Sequence, residues 1–366
     1  MRPTLRYITR VALPLVALCL TLGSTYASAT EREKKTKQQT LLIGTYTAKD
    51  SEGIYRSHFN PKSGSLSQPE LLVKVDNPSF LAMSEDKAHL YAVSEGGNNE
   101  SSALNAFDYN PATHSATLIN RQPTHGASPC YVALHRDNAF TANYTGGSYS
   151  KMKIAADGSL GKSSAHPIIK EGRRSHIHGI FPTPDGENIY ITDLGCDLLL
   201  KCDAEGNILS ETALSRGSGP RHLAFSKSGN RAYLLNELSG TVCVFDISGR
   251  EPQLLQEIAS DSVGGGGSAD IHLSPDGRYL YASNRLKEDG ISVFSIDKSG
   301  RLKKIGYTKT GIHPRNFTLS PDGRFLLVAE RDSNCIEVFA RNKRTGLLKP
   351  TPHKLHLSMP VFVMWE

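Results

Sequence analysis

Charged and imidazole side chains stand at the ends of several short apolar runs of this sequence. Pro220-Arg221-His222 opens one run, Asn236-Glu237 closes the next, and Ser283-Asn284-Arg285 closes another further along. A carboxylate or a neutral imidazole can act as a general base, and a guanidinium can bind an anion or a developing oxyanion. These residue types suit the attack of water on an ester-like carbonyl, provided that the fold brings them together. Arg221 and Glu237 could equally form a structural ion pair between neighbouring strands.

The same short unit recurs along the chain: an apolar segment, a turn, then a second apolar segment. The turns include Thr183-Pro184-Asp185-Gly186, Ser274-Pro275-Asp276-Gly277 and Ser320-Pro321-Asp322-Gly323. The residue that opens each unit serves as a marker, and these markers recur every 44 to 51 residues. They are Pro78, Pro129, His176, Pro220, Ala269, Pro314 and Pro360. With a second hairpin closing each unit, four short strands per period of about 45 residues predict the blades of a β-propeller.

The seventh marker predicts how the ring of blades closes. Residues 360–365 supply a single apolar strand, and the other strands of that blade are expected from Leu41 to about Val75. Pairing the two ends removes the exposed sheet edges that an open array would carry. We therefore predict an all-β fold: a seven-bladed β-propeller of residues 41–366, with its C-terminal strand paired to the N-terminal blade. The glycine run 264–267 is either a spacer or a loop over the site.

Antiparallel alternation predicts where the polar residues collect. Each inner strand starts at one face of the ring, which we call the mouth, and the second strand of the blade returns to it. Residues that open inner strands and residues that end second strands therefore gather there. The openers are His176, His178, Arg221, His222 and Arg315. The enders are Glu95, Asn143, Tyr144, Asp193, Glu237, Arg285 and Glu330.

Some of these residues have structural alternatives. Arg285 and Arg315, from neighbouring blades, could each pair with Glu330, and His222 could serve the structure alone. Asp193 is expected to accept hydrogen bonds from backbone amides of its own loop.

A metal site is a further alternative. His176-Ile177-His178, if extended, places both imidazoles on one side of a strand, but no clear third ligand lies nearby in the sequence. We predict no metal and no cofactor. A calcium-dependent enzyme using Glu95 and Asp193 would instead lose activity with a chelator and regain it with calcium.

The first 29 residues have the order of a secretory signal peptide. Arg2, Arg6 and Arg10 precede an apolar run over residues 11–22, and Ala27-Ser28-Ala29 follows. The apolar run is shorter than the roughly 20 residues that a membrane anchor needs. We predict a signal peptide over residues 1–29, a polar leader over residues 30–40, and a periplasmic or secreted protein with no membrane attachment after cleavage.

Charge and cysteine content narrow the class of partner. Residues 1–29 carry three arginines and no acidic residue, so the rest of the chain has 39 basic against 36 acidic residues. This balance and the lack of a purely basic block predict no nucleic-acid partner. We expect a monomer that binds a small anionic molecule. Five cysteines lie beyond the leader, and we predict buried free thiols, with a Cys196–Cys202 disulfide as the alternative.

Eight ordered motifs of the sequence resemble those of one known family. They are Asn77-Pro78-Ser79-Phe80-Leu81-Ala82, Ala142-Asn143-Tyr144, His176-Ile177-His178-Gly179, Asp193-Leu194-Gly195, Gly219-Pro220-Arg221-His222, Asn236-Glu237-Leu238, Ser283-Asn284-Arg285 and Pro314-Arg315-Asn316-Phe317. From Gly44 onwards the chain resembles the lactonase family of seven-bladed propellers. That family includes propeller-type 6-phosphogluconolactonases and carboxymuconate-lactonising enzymes.

The resemblance implies a lactone-handling site. It implies catalytic roles for His178 (or His176), Arg221, Glu237 and Arg285, and 6-phosphoglucono-1,5-lactone as the expected substrate. We expect the other polar residues of the mouth to bind the substrate: His176, His222, Arg315, Asn143, Tyr144 and Glu95. No Gly-x-Ser-x-Gly elbow is placed on a strand-to-helix turn, so direct attack by water is expected. The alternatives are a cycloisomerase that forms a lactone from a muconate-type diacid, and a periplasmic binding propeller without catalysis.

Overall fold

Seven antiparallel sheets of four strands each make up the described part of the chain. The computed structural model describes Met1, residues 38–261 and residues 263–366. Within these ranges each sheet runs as a meander from an inner strand to an outer one. The predicted all-β propeller of seven blades is confirmed. Apart from Met1, the signal peptide predicted over residues 1–29 lies outside the described residues, as do residues 30–37 of the polar leader.

The strands are numbered β1 to β28 in chain order, and each occupies one of four positions in its blade. The inner strands are β4 (Leu81–Met83), β8 (Pro129–His135), β12 (Ile177–Pro182), β16 (Pro220–Phe225), β20 (Ser268–Leu273), β24 (Pro314–Leu319) and β28 (Pro360–Trp365). The second strands are β1 (Gln39–Thr45), β5 (His89–Ser94), β9 (Asn138–Asn143), β13 (Asn188–Asp193), β17 (Arg231–Asn236), β21 (Tyr279–Asn284) and β25 (Phe325–Glu330). The third strands are β2 (Gly53–Phe59), β6 (Ala103–Asn110), β10 (Ser148–Lys153), β14 (Leu198–Asp203), β18 (Thr241–Asp246), β22 (Gly290–Ile296) and β26 (Cys335–Arg341). The outer strands are β3 (Glu70–Lys74), β7 (Ser115–Pro123), β11 (Ser164–Pro167), β15 (Ile208–Ala213), β19 (Gln253–Ala259), β23 (Leu302–Lys309) and β27 (Leu348–His356).

The ring closes as the sequence predicts. Strand β28 pairs antiparallel with β1, with Leu41 opposite Trp365 and Ile43 opposite Val363. The indole Nε1 of Trp365 donates to the carbonyl of Leu319 at 2.7 Å, which ties the closing strand to the inner strand of the preceding blade. Backbone pairing and side-chain packing therefore join the two ends of the described propeller.

The core lies between the blades. Second strands such as β9 and β21 are buried along their whole length because neighbouring blades cover both faces of each sheet. Outer strands such as β3 and β15 are largely exposed or half-buried. Tyrosines on the second strands also join adjacent blades: Tyr281 donates to the carbonyl of Gly346 at 2.7 Å, one blade further on. The mouth residues therefore stand on a rigid frame.

Two of the seven sequence markers are wrong by one residue. Each marker proline at 129, 220 and 314 lies opposite the last residue of its second strand. The markers His176 and Ala269 are the two that are wrong. In their blades the residue opposite the end of the second strand is Ile177, which pairs with Asp193, and Ser268, which pairs with Asn284. The register of hydrogen bonds, which apolar periodicity does not fix, sets the true phase.

The cysteine prediction holds within the described residues. Cys130, Cys196, Cys202, Cys243 and Cys335 are all free and buried. Burial raises the pKa of the Cys202 and Cys243 thiols to about 12, so both stay protonated at neutral pH. The Cys196–Cys202 alternative is wrong. In the same ranges we find no helix with the length and apolar character needed to cross a membrane.

Candidate active site

A repeated backbone device builds the mouth. In every blade, the residue just after the second strand donates its N–H to a carbonyl at the entrance to the inner strand; in six blades the acceptor directly precedes that strand, and Asn77 lies four residues before β4. The donors are Tyr46, Glu95, Tyr144, Leu194, Glu237, Arg285 and Arg331. The acceptors, in the same order, are Met359, Asn77, Ser128, His176, Gly219, Gly267 and His313. Six of these acceptors have a left-handed φ of 43° to 85°, His176 being the exception, and two of the six are glycines.

A β-bulge follows this bond in the inner strand. The pairing skips His178 between Ile177 and Gly179, Arg221 between Pro220 and His222, and Arg315 between Pro314 and Asn316. In β20 the pairing passes from Ser268 opposite Asn284 to Ile271 opposite Ala282, so Ala269 and Asp270 together oppose Ser283. Because a bulge re-aims the side chain of the unpaired residue, the fold directs these side chains away from the blade ladder. His178 and not His176 therefore occupies the position equivalent to Arg221.

The centre of the site is a carboxylate between two arginines. The Oε2 of Glu237 lies 2.8 Å from Arg221 Nε, and its Oε1 lies 3.2 Å from Arg285 Nη2. The arginine side chains are 2% and 5% exposed, whereas that of Glu237 is 21% exposed. Arg285 also contacts His313 Nε2 at 3.2 Å and donates from Nε to the carbonyl of Gly267 at 2.8 Å. The ion pair between Arg221 and Glu237, which the sequence left open as an alternative to a catalytic role, is present.

Electrostatics keep this carboxylate ionised. Burial alone would raise the pKa of Glu237, but Arg285 and Arg221 outweigh it and hold that pKa below its usual value. Burial and the nearby charge of Arg221 keep the pKa of His178 well below the ordinary value of an imidazole. At neutral pH the site therefore presents a carboxylate, a neutral imidazole and two guanidinium groups.

Histidine and tyrosine side chains form one wall of the mouth. The ring of His176 stacks on Tyr144 at 4.6 Å between centroids, and its Nδ1 contacts the Tyr144 carbonyl at 3.0 Å. His178 meets the same tyrosine edge-on at 5.5 Å. The thiol of Cys130 lies 4.0 Å from His178 Nδ1. His178 is buried, and His176 is half-buried at the edge of the site.

A second charged group lies in three other blades. Glu95 accepts from the Tyr46 hydroxyl at 3.1 Å to both carboxylate oxygens, and Arg315 Nη2 is 3.6 Å from Glu95 Oε2. The guanidinium of Arg315 also stands over the Tyr46 ring at 5.3 Å. Although burial opposes the charge, Tyr46 and Glu95 raise the pKa of Arg315, so it stays charged. Arg315 also lowers the pKa of both Glu237 and His178, which places it in the same electrostatic field.

One family accounts for this architecture. Residues 40–365 match the family described as lactonase, 7-bladed beta-propeller.

The chain belongs to this family.

Its relatives in the lactonase family cover nearly the whole propeller. A protein of Formosa agariphila named 6-phosphogluconolactonase is 36% identical, the alignment covering 86% of this chain and 96% of the relative. A 6-phosphogluconolactonase of Bacillus subtilis is 31% identical, with coverages of 88% and 96%. The solved structure of a periplasmic gluconolactonase from Pseudomonas aeruginosa superposes with a TM-score of 0.84 at 31% identity, covering 90% of this chain and 99% of that one.

Three enders predicted to face the mouth have side chains that bind within their own blades or loops in this lactonase-family propeller. Asn143 donates to the hydroxyls of Ser148 and Ser150 at 3.0 and 2.8 Å. Asp193 accepts from the backbone N–H groups of His176 and Cys196, as expected. These enders are the last paired residues of their strands, one residue short of the mouth position.

Glu330 is the third of these enders, and its contacts differ from the pairing with Arg285 or Arg315 that the sequence suggested. Its carboxylate accepts from the Gly311 N–H at 2.8 Å and from the Cys335 thiol at 3.1 Å. Pairing of Arg285 or Arg315 with Glu330 is therefore wrong, since those arginines pair with Glu237 and Glu95. The mouth position of this blade belongs to the next residue, Arg331.

His222 lies behind the mouth residues and contacts two of them, Arg221 and His178. It is the first paired residue after the bulge; its Nε2 lies 3.4 Å from Arg221 Nη1, its ring lies 5.3 Å from that of His178, and it lines a cavity of about 330 Å³. Aromatic rings of Phe80, Tyr131 and Phe181 surround it at 5.5 to 6.2 Å. Burial and the charge of Arg221 lower the pKa of His222 to about 4. It is neutral at pH 7.

Sequence reasoning missed Tyr46, His313, Cys130 and Asp270. Tyr46 is the first residue after β1, the second strand of the closing blade. Applying the rule for strand ends to this blade as well would have predicted Tyr46 at the mouth. His313 precedes a marker proline, and its role depends on a left-handed φ of 63° that no pattern signals. No cluster of three or more His, Cys, Asp or Glu side chains arranged to hold a metal ion occurs among the described residues.

The glycine run borders the site. Gly264 and Gly265 donate their N–H groups to the two carboxylate oxygens of Asp261 at 2.7 and 2.8 Å. Gly267 donates to the Glu237 carbonyl at 2.6 Å and accepts from Arg285. Its φ of 85° is open to glycine, whereas a Cβ would meet Leu286 and the Arg285 carbonyl at 2.8 to 2.9 Å. The run therefore supports the backbone on which Glu237 and Arg285 stand.

Proposed function

We propose that this protein is a lactonase that hydrolyses a sugar lactone bearing an anionic group, with 6-phosphoglucono-1,5-lactone as the expected substrate. The observation that carries this proposal is the Glu237 carboxylate held between Arg221 and Arg285 at the mouth. Such a cluster offers a proton acceptor next to two positive charges, which suits water attack on a carbonyl that becomes an oxyanion. The names of the relatives support the same activity.

In the first step, Glu237 takes a proton from water as the water oxygen bonds to the lactone carbonyl carbon. The carbonyl oxygen becomes an oxyanion and pairs with the guanidinium groups of Arg221 and Arg285. As Glu237 loses its charge, the oxyanion gains one, so the two arginines remain matched to one anion throughout. Groups already held in position need no reorganisation during the reaction.

In the second step, the tetrahedral intermediate collapses and the ring C–O bond breaks. The leaving oxygen takes the proton from Glu237, which returns as a carboxylate. The open product carries a hydroxyl and a carboxylic acid, and the acid then releases its proton to solvent. His178, neutral and beside Tyr144, is placed to accept or donate a hydrogen bond to the water or to a sugar hydroxyl.

Arg315 is the group that we assign to the anionic substituent of the substrate. Its side chain is 13% exposed, it stays charged, and it lies in a different blade from Arg221 and Arg285. A guanidinium can bind a phosphate or a carboxylate through two parallel hydrogen bonds. The same group would bind a carboxylate of a muconate-type diacid, so the test must include both substrate classes.

Export is part of the proposal. The order of charged, apolar and small residues in the first 29 positions supports a periplasmic or secreted protein. The solved relative from Pseudomonas aeruginosa is described as a periplasmic gluconolactonase. For an exported enzyme, the unphosphorylated gluconolactone is a second substrate to test, because the signal peptide would place the enzyme outside the cytoplasm.

The proposal is tested by the turnover of 6-phosphogluconolactone and gluconolactone by the purified protein. The spontaneous opening rate must be subtracted because these lactones hydrolyse without a catalyst. We expect turnover by the wild type and its loss in Glu237→Gln. A folded wild-type protein that opens neither lactone would contradict the proposal, and lactone formation from a muconate-type diacid would then favour the cycloisomerase. Binding of a lactone without turnover would favour the binding propeller.

A further inference from the structure

Asp270 is a buried carboxylate outside the site predicted from the sequence. It is 3% exposed and lies in the bulged stretch of β20, where Ala269 and Asp270 together oppose Ser283. Its Oδ1 is 2.8 Å from His222 Nδ1. Its Oδ2 faces three donors: His272 Nε2 at 2.8 Å, Asn316 Nδ2 at 2.5 Å and the backbone N–H of Phe317 at 3.2 Å. Burial alone would raise the pKa of Asp270, but His272 and His222 hold it well below its usual value.

These contacts fix the proton on His222. Its Nε2 lies 3.4 Å from Arg221 Nη1, and a guanidinium nitrogen can only donate. Nε2 must therefore be the unprotonated nitrogen, and Nδ1 carries the hydrogen that it donates to Asp270. The aromatic rings of Phe80, Tyr131 and Phe181 leave little competition from solvent.

The same bulge reaches Arg221 by a second contact. Arg221 Nη1 donates to the carbonyl of Ala269, the residue just before Asp270. Arg221 is therefore held by this carbonyl of the next blade and by His222 of its own strand, while its Nε lies 2.8 Å from Glu237 Oε2. A chain of contacts runs from Asp270 through His222 and Arg221 to Glu237.

We propose that Asp270 is a positioning residue for the reaction: it fixes the tautomer of His222, which in turn accepts from Arg221 and keeps that guanidinium aimed at Glu237 and the oxyanion. This inference rests on the proposed lactonase activity for its kinetic effect. Its structural part, the control of the His222 tautomer, does not depend on that activity.

Asp270→Asn is the decisive variant because the surrounding donors determine how the introduced amide turns. Three donors face the Oδ2 side, so the amide oxygen must lie there and the NH₂ group must face His222. The NH₂ group would donate to Nδ1, which moves the ring proton to Nε2, opposite a donor of Arg221. Two donors then face each other, and Arg221 must shift.

His272→Gln is the matched control. It changes a partner of the other carboxylate oxygen and leaves the bond from Asp270 to His222 in place. His222→Phe is a second variant, which removes both contacts of the imidazole while preserving the ring volume.

The experiment combines histidine tautomer assignment by ¹⁵N NMR with steady-state kinetics on 6-phosphogluconolactone. We expect an Nδ1–H tautomer of His222 in the wild type and in His272→Gln, and an Nε2–H tautomer in Asp270→Asn. A displacement of Arg221 by about 1 Å costs roughly 10²-fold, so kcat should fall by about that factor in Asp270→Asn, with KM changed by less than about 3-fold. His272→Gln should keep kcat within about 3-fold of the wild type.

Three results would overturn the proposal. They are an Nε2–H or charged His222 in the wild type, a folded Asp270→Asn with unchanged kcat, and a kcat loss in His272→Gln equal to that in Asp270→Asn. Because both variants act through Arg221, the double variant Asp270→Asn/His222→Phe should lose no more activity than the worse single variant. If Asp270→Asn does not fold, a His222→Phe variant with wild-type kcat would refute the role. A wild type without lactone turnover would refute the proposed function alone, and the tautomer measurement would still decide whether Asp270 controls His222.

Discussion

Replacing Glu237 by Gln removes the negative charge that Arg221 and Arg285 share at 2.8 and 3.2 Å. Loss of one partner from a buried ion pair costs about 3 to 5 kcal/mol, and the 21% exposure of the Glu237 side chain favours the lower end, about 3 kcal/mol. A propeller of roughly 330 residues has an unfolding entropy of about 0.7 kcal/mol/K near its midpoint. The expected fall in Tm is therefore about 4 °C.

The catalytic effect of the same change is much larger. If Glu237 takes the proton from water, its loss removes a general-base contribution of roughly 10²- to 10⁴-fold, and kcat should fall by that factor. The variant is followed by differential scanning calorimetry and by lactone hydrolysis corrected for the spontaneous rate. Glu85→Gln, at an exposed carboxylate on the surface, serves as the control and should change neither quantity.

The changes in Tm and in kcat together test whether Glu237 acts as the general base and stabilises the two arginines. A Tm lowered by about 4 °C with an unchanged kcat would show that Glu237 only holds the arginines, and the base would have to be His178. A large loss of kcat with an unchanged Tm would support the chemistry but contradict the energy assigned to the ion pairs. An increase in Tm would mean that repulsion among Arg221, Arg285 and Arg315 does not destabilise the protein when the Glu237 charge is removed.

Three further predictions follow from the charges at and near the mouth. The pKa values of both Glu237 and His178 are lowered, so either residue loses its function as a base only when pH falls through that lowered pKa. We therefore expect kcat/KM to stay level from pH 7 to about 5.5. A loss centred near pH 6.5 would contradict a base with a lowered pKa. Arg315→Met should raise KM for the phosphorylated lactone by roughly 10- to 100-fold, and by less than about 3-fold for gluconolactone; equal effects on both lactones would place the phosphate elsewhere. Burial and Glu337 raise the pKa of Glu330 to about 7, well above its unfolded value, so the folded state binds the extra proton and stability falls as pH rises through this window. Glu330→Gln should therefore be more stable than the wild type at pH 8, by up to about 3 kcal/mol in urea unfolding, with no gain at pH 4. The opposite ordering would refute the raised pKa of Glu330.

The overall fold could be predicted from the sequence because it depends on a period. Each blade buries second and third strands that need apolar residues, and turns such as Ser320-Pro321-Asp322-Gly323 break those runs at fixed intervals. The closing strand could also be placed, since residues 360–365 have the apolar pattern of an inner strand without the rest of its blade. The number of blades and the closing strand stay the same if the marker residue of each blade is shifted by one position.

The site depends on which residue at each strand end occupies the mouth position, and the sequence left that position uncertain by one residue. Asn143, Asp193 and Glu330 stand one position before the mouth and bind inside their own blades or loops, whereas Glu95, Glu237 and Arg285 stand at it. Since successive side chains of a strand point to opposite sides, that single step decides between a structural and a chemical role. The bulge made the same decision between His176 and His178.

Residue types at the ends of apolar runs placed Arg221, Glu237 and Arg285 among twelve candidates for the mouth, and the family resemblance singled them out. The sequence by itself determined the number of blades, the closing strand and the face on which charged groups collect, because these follow from periodicity and alternation. Only the tertiary structure decided which partner each charge has, and only it brought Asp270 to His222 from 48 positions along the chain. Contacts between blades depend on bulges and left-handed residues at the strand entrances, and no local pattern encodes the position of a neighbouring blade.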